Sequence, residues 1–177
     1  MTCEDRTSKV KGKLTAVFRI TSHTRRKVSL FKKITDVLNP QVYDIDKLLE
    51  IIRDDTYYHL KPKIEAVRKA KSKEEKAKKK ALLPAVTWNG VFKSKNKNEC
   101  VLYSSFTALD FDHIEPENMK TFGRWLQGFP CVYTYFVTPS GTGFKAIILH
   151  DNYESLYHYD LYLSLIHISE PTRHSLI

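Results

Sequence analysis

Cysteine is scarce in this chain, and its placement excludes the chemistry cysteine most often serves. The three present, Cys3, Cys100 and Cys131, are far apart and match no zinc-ligand spacing. An odd count with no secretory leader reads as reduced thiols and a cytoplasmic location. The first fifteen residues mix Glu4, Asp5, Arg6 and Lys9 with no apolar segment, so a signal peptide is not expected. No run of apolar residues approaches the length needed to cross a bilayer, so no membrane partner is expected. The sequence also lacks the GxxxxGK[ST] spacing of a P-loop, although it has a glycine-rich turn.

Charge is abundant but unevenly divided. The formal net charge of the 177 residues is +9. Residues 1–100 hold 25 Lys and Arg against 12 Asp and Glu, a net +13; residues 101–177 hold 4 against 8, a net −4. A basic half beside an acidic half points to a polyanion bound by the first and carboxylate chemistry in the second. The length suits one domain with a real core, and the aromatic content argues against wholesale disorder.

Taken in order, residues 1–26 form an extension with a possible strand at Leu14–Ile20, and Lys27–Phe31 (KVSLF) reads as a strand. Asn39-Pro40 breaks the chain. Asp44 or Asp46 then caps a helix through Arg53, with Ile45, Leu48, Leu49 and Ile52 on one stripe. A second helix starts near Pro62, with Ile64 and Val67 as its apolar stripe, and leads into the basic run Lys69–Lys80. Leu83–Trp88, a tight turn at Asn89-Gly90 and Val91-Phe92 read as a strand, turn and continuation, followed by a polar loop over 93–99. Cys100–Tyr103 and Phe106–Asp112 form a strand or strand pair. Pro116–Gln127 is expected to be a helix burying Met119, Phe122, Trp125 and Leu126. Cys131–Val137 and Phe144–Leu149 are expected to pair across the glycine-rich turn, and a last helix is expected from Asn152 or Tyr153 to about Tyr162.

Two stretches carry candidate chemistry. In Leu109-Asp110-Phe111-Asp112-His113, strand alternation sends Asp110 and Asp112 to one face and Leu109 and Phe111 to the other. Two carboxylates on one rigid strand can hold a divalent ion whose remaining shell is water and phosphate oxygen. His113 reads as a structural or surface residue. In Thr138-Pro139-Ser140-Gly141-Thr142-Gly143-Phe144-Lys145, Gly141 and Gly143 permit backbone N–H groups to converge on an anion. Ser140 and Thr142 add hydroxyls, and Lys145 adds a point charge for phosphate.

Together these stretches resemble the N-terminal domain of virulence-associated protein E-type proteins, which is similar to the archaeo-eukaryotic primase and primase-polymerase superfamily. Val28-Ser29-Leu30-Phe31-Lys32 and Leu83-Pro84-Ala85-Val86-Thr87-x-x-Gly90-x-Phe92 follow the same layout, so the resemblance spans residues 27–162. It implies an α+β fold, with a mixed or antiparallel sheet carrying the carboxylates and flanking helices placed on one face. It also implies Mg²⁺ or Mn²⁺ at Asp110 and Asp112, and phosphate contact at Lys145, where the superfamily has a histidine. Asp110, Asp112 and Lys145 are then the catalytic set, with Ser140, Gly141, Thr142 and Gly143 around the phosphate. A third acidic motif is expected downstream of this chain. The implied activity is metal-dependent nucleotidyl transfer in DNA replication of a phage or mobile element, with DNA and nucleoside triphosphates as partners. The alternative is a non-catalytic DNA- or nucleotide-binding module attached to a replicative helicase. A rolling-circle nicking enzyme stands last, because His150, His158 and the tyrosines near them do not form a His-hydrophobic-His pair with a nucleophile.

The segment Leu163–Arg173, LSLIHISEPTR, resembles the translation of an adapter used in sequencing libraries. Residues 163–177 are therefore expected to lie outside the domain.

Overall fold

A computed structural model of the protein describes residues 25–55 and 58–150. The expected strand at 14–20, the helix after residue 152 and the adapter-like segment lie outside the described residues.

Among the described residues, eight strands and four α-helices follow one another: β1 (Lys27–Phe31), β2 (Gln41–Asp44), α1 (Ile45–Asp54), α2 (Leu60–Arg68), α3 (Lys73–Ala81), β3 (Ala85–Thr87), β4 (Gly90–Phe92), β5 (Cys100–Tyr103), β6 (Phe106–Phe111), α4 (Met119–Gln127), β7 (Val132–Val137) and β8 (Phe144–Leu149). The class is α+β, and every strand pair is antiparallel. One continuous sheet does not form. The strands divide into β2-β1-β3, β4-β5 and β6-β8-β7. The turn at Asn89-Gly90 therefore does not continue a strand within one sheet. It carries the chain from β3, paired with β1, to β4, paired with β5.

Buried hydroxyls join what the ladders leave separate. Ser29 on β1 is fully buried, and its hydroxyl accepts from the Phe92 N–H on β4 at 2.9 Å. Ser105 donates its N–H to Arg25 O at 2.8 Å and accepts the Arg25 N–H at its hydroxyl at 2.9 Å. A hydrogen-bonded serine satisfies backbone groups that would otherwise be buried without partners.

Helix α1 starts where the acidic pair of the sequence predicts. Asp44 is the N-cap, accepting the Asp46 N–H at 3.0 Å. Ile45, Leu48 and Ile51 are its buried residues, with Leu49 and Ile52 packed beside them. Arg26 lies across this helix start, paired with Asp46 and donating to the Tyr133 hydroxyl at 2.8 Å. Burial opposes its charge, but Tyr133 and Asp46 outweigh that cost, and the guanidinium pKa stands above its ordinary value. Asp44→Ala removes the cap, and thermal denaturation is expected to show a loss of about 0.5–2 kcal/mol. No measurable loss would mean that the helix start is held by Arg26 alone.

The β6-β8-β7 sheet is covered on both faces, not on one. Leu109, Phe111, Phe144, Ala146 and Ile148 form one cluster with Phe122 and Leu126 of α4. Phe106, Ile147 and Leu149 form another with Val28 and Leu30 of β1, Ile45 and Leu48 of α1, and Trp88. Helix α4 is shorter than Pro116–Gln127 because Pro116–Asn118 takes a tighter 3₁₀ turn first. Gly123 brings it close to the sheet: a Cβ there would lie 3.5 Å from the Phe144 ring.

The basic segment is broken into two helices. Val67 anchors α2 in the core, whereas α3 buries none of its residues. No helix among the described residues is long and apolar enough to cross a membrane.

Candidate functional site

Strand β6 places Asp110 where alternation requires. Leu109 and Phe111 are buried toward α4, and Asp110 is exposed on the opposite face. Directly across the ladder, Asp110 is in register with Lys145 of β8. The Lys145 Nζ stands 2.5 and 2.7 Å from the two carboxylate oxygens. Phe136 of β7 is the other cross-strand neighbour of Lys145.

Asp112 lies just past the strand end and is exposed. Next to it, His113 takes a left-handed conformation, φ 60°, and turns the chain away. The Ile114 N–H then donates to Thr142 O at 3.0 Å, which ties the carboxylate strand to the glycine turn. Gly143 faces Asp112 closely: a Cβ on Gly143 would lie 2.2 Å from Phe111 O and 3.2 Å from Asp112 Oδ1. Asp110, Asp112, Gly143 and Lys145 thus gather at one end of the sheet.

The turn itself is self-satisfied to a degree the sequence does not reveal. Gly141 N–H donates to Thr138 O at 2.9 Å, closing a four-residue turn with Pro139 in second place. Gly141 has φ +82°, a conformation that favours glycine. Thr138 N–H donates to Gly143 O at 2.9 Å. The Thr138 and Ser140 hydroxyls are 3.0 Å apart, and Thr142 donates to Ser140 Oγ at 3.4 Å. The Gly141 N–H therefore points into the turn rather than toward an anion. What the turn offers outward is its hydroxyl cluster and its proximity to cations.

One of those cations has no local signature in the sequence. Arg68, the last residue of α2, comes to the turn from a distant part of the chain: a Cβ on Gly141 would lie 3.5 Å from Arg68 Nε. The sequence shows only that Arg68 borders the basic run; nothing local distinguishes it from its lysine neighbours.

Among the described residues, no three His, Cys, Asp or Glu converge as a metal-holding group. The donors brought together are two carboxylates, one with an ammonium against it. Mg²⁺ takes one or two carboxylates with water and phosphate oxygens, so this set fits an ion that arrives with a phosphate able to draw Lys145 away. The pair is partly exposed, with 28% of the Lys145 side chain and 52% of the Asp110 side chain accessible. Such pairs contribute about 0–1 kcal/mol, so opening it costs little.

The chain matches the BT4734-like, N-terminal domain family over residues 77–167, and it belongs to that family. The matched region contains the carboxylate strand, the glycine turn and Lys145. No curated protein and no solved structure matches the chain.

Proposed function

We propose that this chain is the nucleotide-handling part of a primase-polymerase-like protein of the virulence-associated E type. It acts in the cytoplasm in DNA replication of a phage or mobile element. The observation that carries this reading is the register of β6 on β8, which puts Lys145 opposite Asp110, with Gly143 at the end of the turn against Asp112. In this reading Lys145 binds a phosphate oxygen of a nucleoside triphosphate, with the Ser140 and Thr142 hydroxyls beside it. Asp110 and Asp112 are the residues that hold Mg²⁺ or Mn²⁺. The ion, when bound, supplies positive charge to the phosphate oxygens. The buried partners Leu109, Phe111 and Phe144 fix the strand ends, so the carboxylates are oriented before ligand arrives.

A second reading is a binding module without catalysis, coupled to a helicase. The Lys145–Asp110 pair favours it, because the ammonium takes up the carboxylate oxygens that a metal ion would need.

Calorimetric titration of a deoxynucleoside triphosphate with Mn²⁺ tests the site. The wild-type chain is expected to bind only when the ion is present. Asp110→Asn with Asp112→Asn, or Lys145→Ala alone, is expected to weaken binding by about tenfold or more. The melting temperature should stay close to wild type. Binding unaffected by all these substitutions, or no binding by the wild type, would overturn the assignment. Primer synthesis on a DNA template separates the enzyme from the module.

A further inference from the structure

Helix α3 contributes no buried residue to the core. A helix polar all round is held by its ends and by pairs along its surface. Here Ser72 accepts the Glu75 N–H at 3.0 Å, and Glu75 also pairs with Lys79. What the helix presents is charge. Residues 60–80 hold ten Lys and Arg against three Glu, a net +7. Only Lys69 and Lys79 of those ten form ion pairs among the described residues, with Glu65 and Glu75. A surface this basic and this little neutralised fits a polyanion.

Its placement identifies which polyanion. Val67 is fully buried and fixes the end of α2, so the next residue, Arg68, projects from an anchored position. It reaches Gly141, where an added Cβ would stand at ordinary contact distance, 3.5 Å, from Arg68 Nε. The same turn leads through Gly143 to Lys145. Arg68 therefore brings the basic segment to the turn that precedes Lys145.

We propose that α2, α3 and the turn 138–143 form a single track for the phosphodiester backbone of a nucleic acid, with Arg68 holding the phosphate at the turn. The track's destination and the choice of nucleic acid as its polyanion rest on the proposed nucleotide site; the basic surface itself does not. Arg68 is suited to the junction because a guanidinium grips a phosphate with two parallel hydrogen bonds, whereas lysine acts as a point charge.

Fluorescence anisotropy with a labelled oligothymidylate of about 20 nucleotides, and with a duplex of the same length, tests this across about 50–200 mM salt. Arg68→Ala is expected to weaken binding about tenfold, and Arg68→Lys to restore only part of that. Replacing Lys73, Lys76, Lys78 and Lys80 together by glutamine should reduce the slope of log affinity against log salt by about 2–3. Melting temperatures should remain near wild type, since these side chains lie outside the core. Affinity and slope unchanged in both variants would overturn the track. So would binding to phosphatidylserine vesicles with none to either oligonucleotide. The Asp110→Asn, Asp112→Asn variant separates the two ideas: it should lose Mn²⁺-dependent nucleotide binding and keep the oligonucleotide slope. If the wild type binds no nucleotide but the Arg68 and α3 effects persist, the track stands and the nucleotide site falls.

Discussion

Replacing Phe122 by alanine is expected to lower the stability of this protein by about 3–5 kcal/mol. Phe122 is 4% exposed and sits at the centre of an aromatic group. Its ring centroid lies 5.1 Å from Phe111 and 4.9 Å from Trp125, and it stacks on Phe144 at 5.8 Å and 14°. Truncation removes the transfer free energy of a whole ring and leaves a cavity that three rigid aromatic neighbours cannot easily fill. For a domain of this size the loss corresponds to roughly 10–20 °C in melting temperature. The consequence reaches the site. Phe111 and Phe144 are cross-strand partners, flanked by Asp110 and Asp112 on one strand and by Gly143 and Lys145 on the other. Loosening Phe122 therefore loosens the support beneath all four residues. Val42→Ala is the control, because Val42 is half exposed and its truncation should stay within about 0.5 kcal/mol. A Phe122→Ala loss no larger than that of Val42→Ala would show that α4 is not a core element.

Elements whose information is local were legible in the sequence. The strand Lys27–Phe31, a cap at Asp44 or Asp46 and the stripe of α4 each follow from periodicity or from a side chain beside its own helix end, and the structure takes Asp44 as the cap. The exposure of Asp110 between the buried Leu109 and Phe111 was legible as well, because it follows from the two-residue period of a strand. The division into three sheets was not. It depends on which strands pair, and the pieces are then joined by single hydroxyls, Ser29 to Phe92 and Ser105 to Arg25, across positions far apart in the chain. A serine in a strand carries no signal of that partner.

The site shows the same limit. Lys145 was expected to serve phosphate, yet the first thing its register brings it is Asp110. Glycine in the turn was expected to open a cradle of N–H groups, yet the Gly141 N–H is committed to Thr138. Both outcomes are set by strand pairing and turn closure, which use the same donors that a ligand would want. Arg68 is the converse case. It reaches the turn only because α2 packs as it does, and helix docking is a tertiary fact.

The substitution that should separate site from scaffold most sharply is Gly143→Ala. A Cβ at this position would fall 2.2 Å from Phe111 O, with Asp112 Cα and Oδ1 each at 3.2 Å. The nearest obstruction is backbone, so no rotamer change can relieve it; the strand end or the turn must move. Overpacking of this kind costs about 1–3 kcal/mol, which a urea titration would register. The displaced carbonyl belongs to Phe111 and is joined by its peptide bond to Asp112, which carries the second carboxylate, and the turn is also bound there through Ile114 N–H and Thr142 O. Metal-dependent nucleotide binding should therefore fall by about tenfold or more, out of proportion to the stability lost. Gly128→Ala provides the comparison. That glycine is exposed just after α4 with φ −71°, and an added Cβ would meet only Trp125 O at 3.2 Å. It should leave nucleotide binding unchanged. If Gly143→Ala lowers stability but leaves nucleotide affinity at the wild-type value, the contact between Gly143 and Asp112 serves the fold alone, and Asp112 is not part of the site.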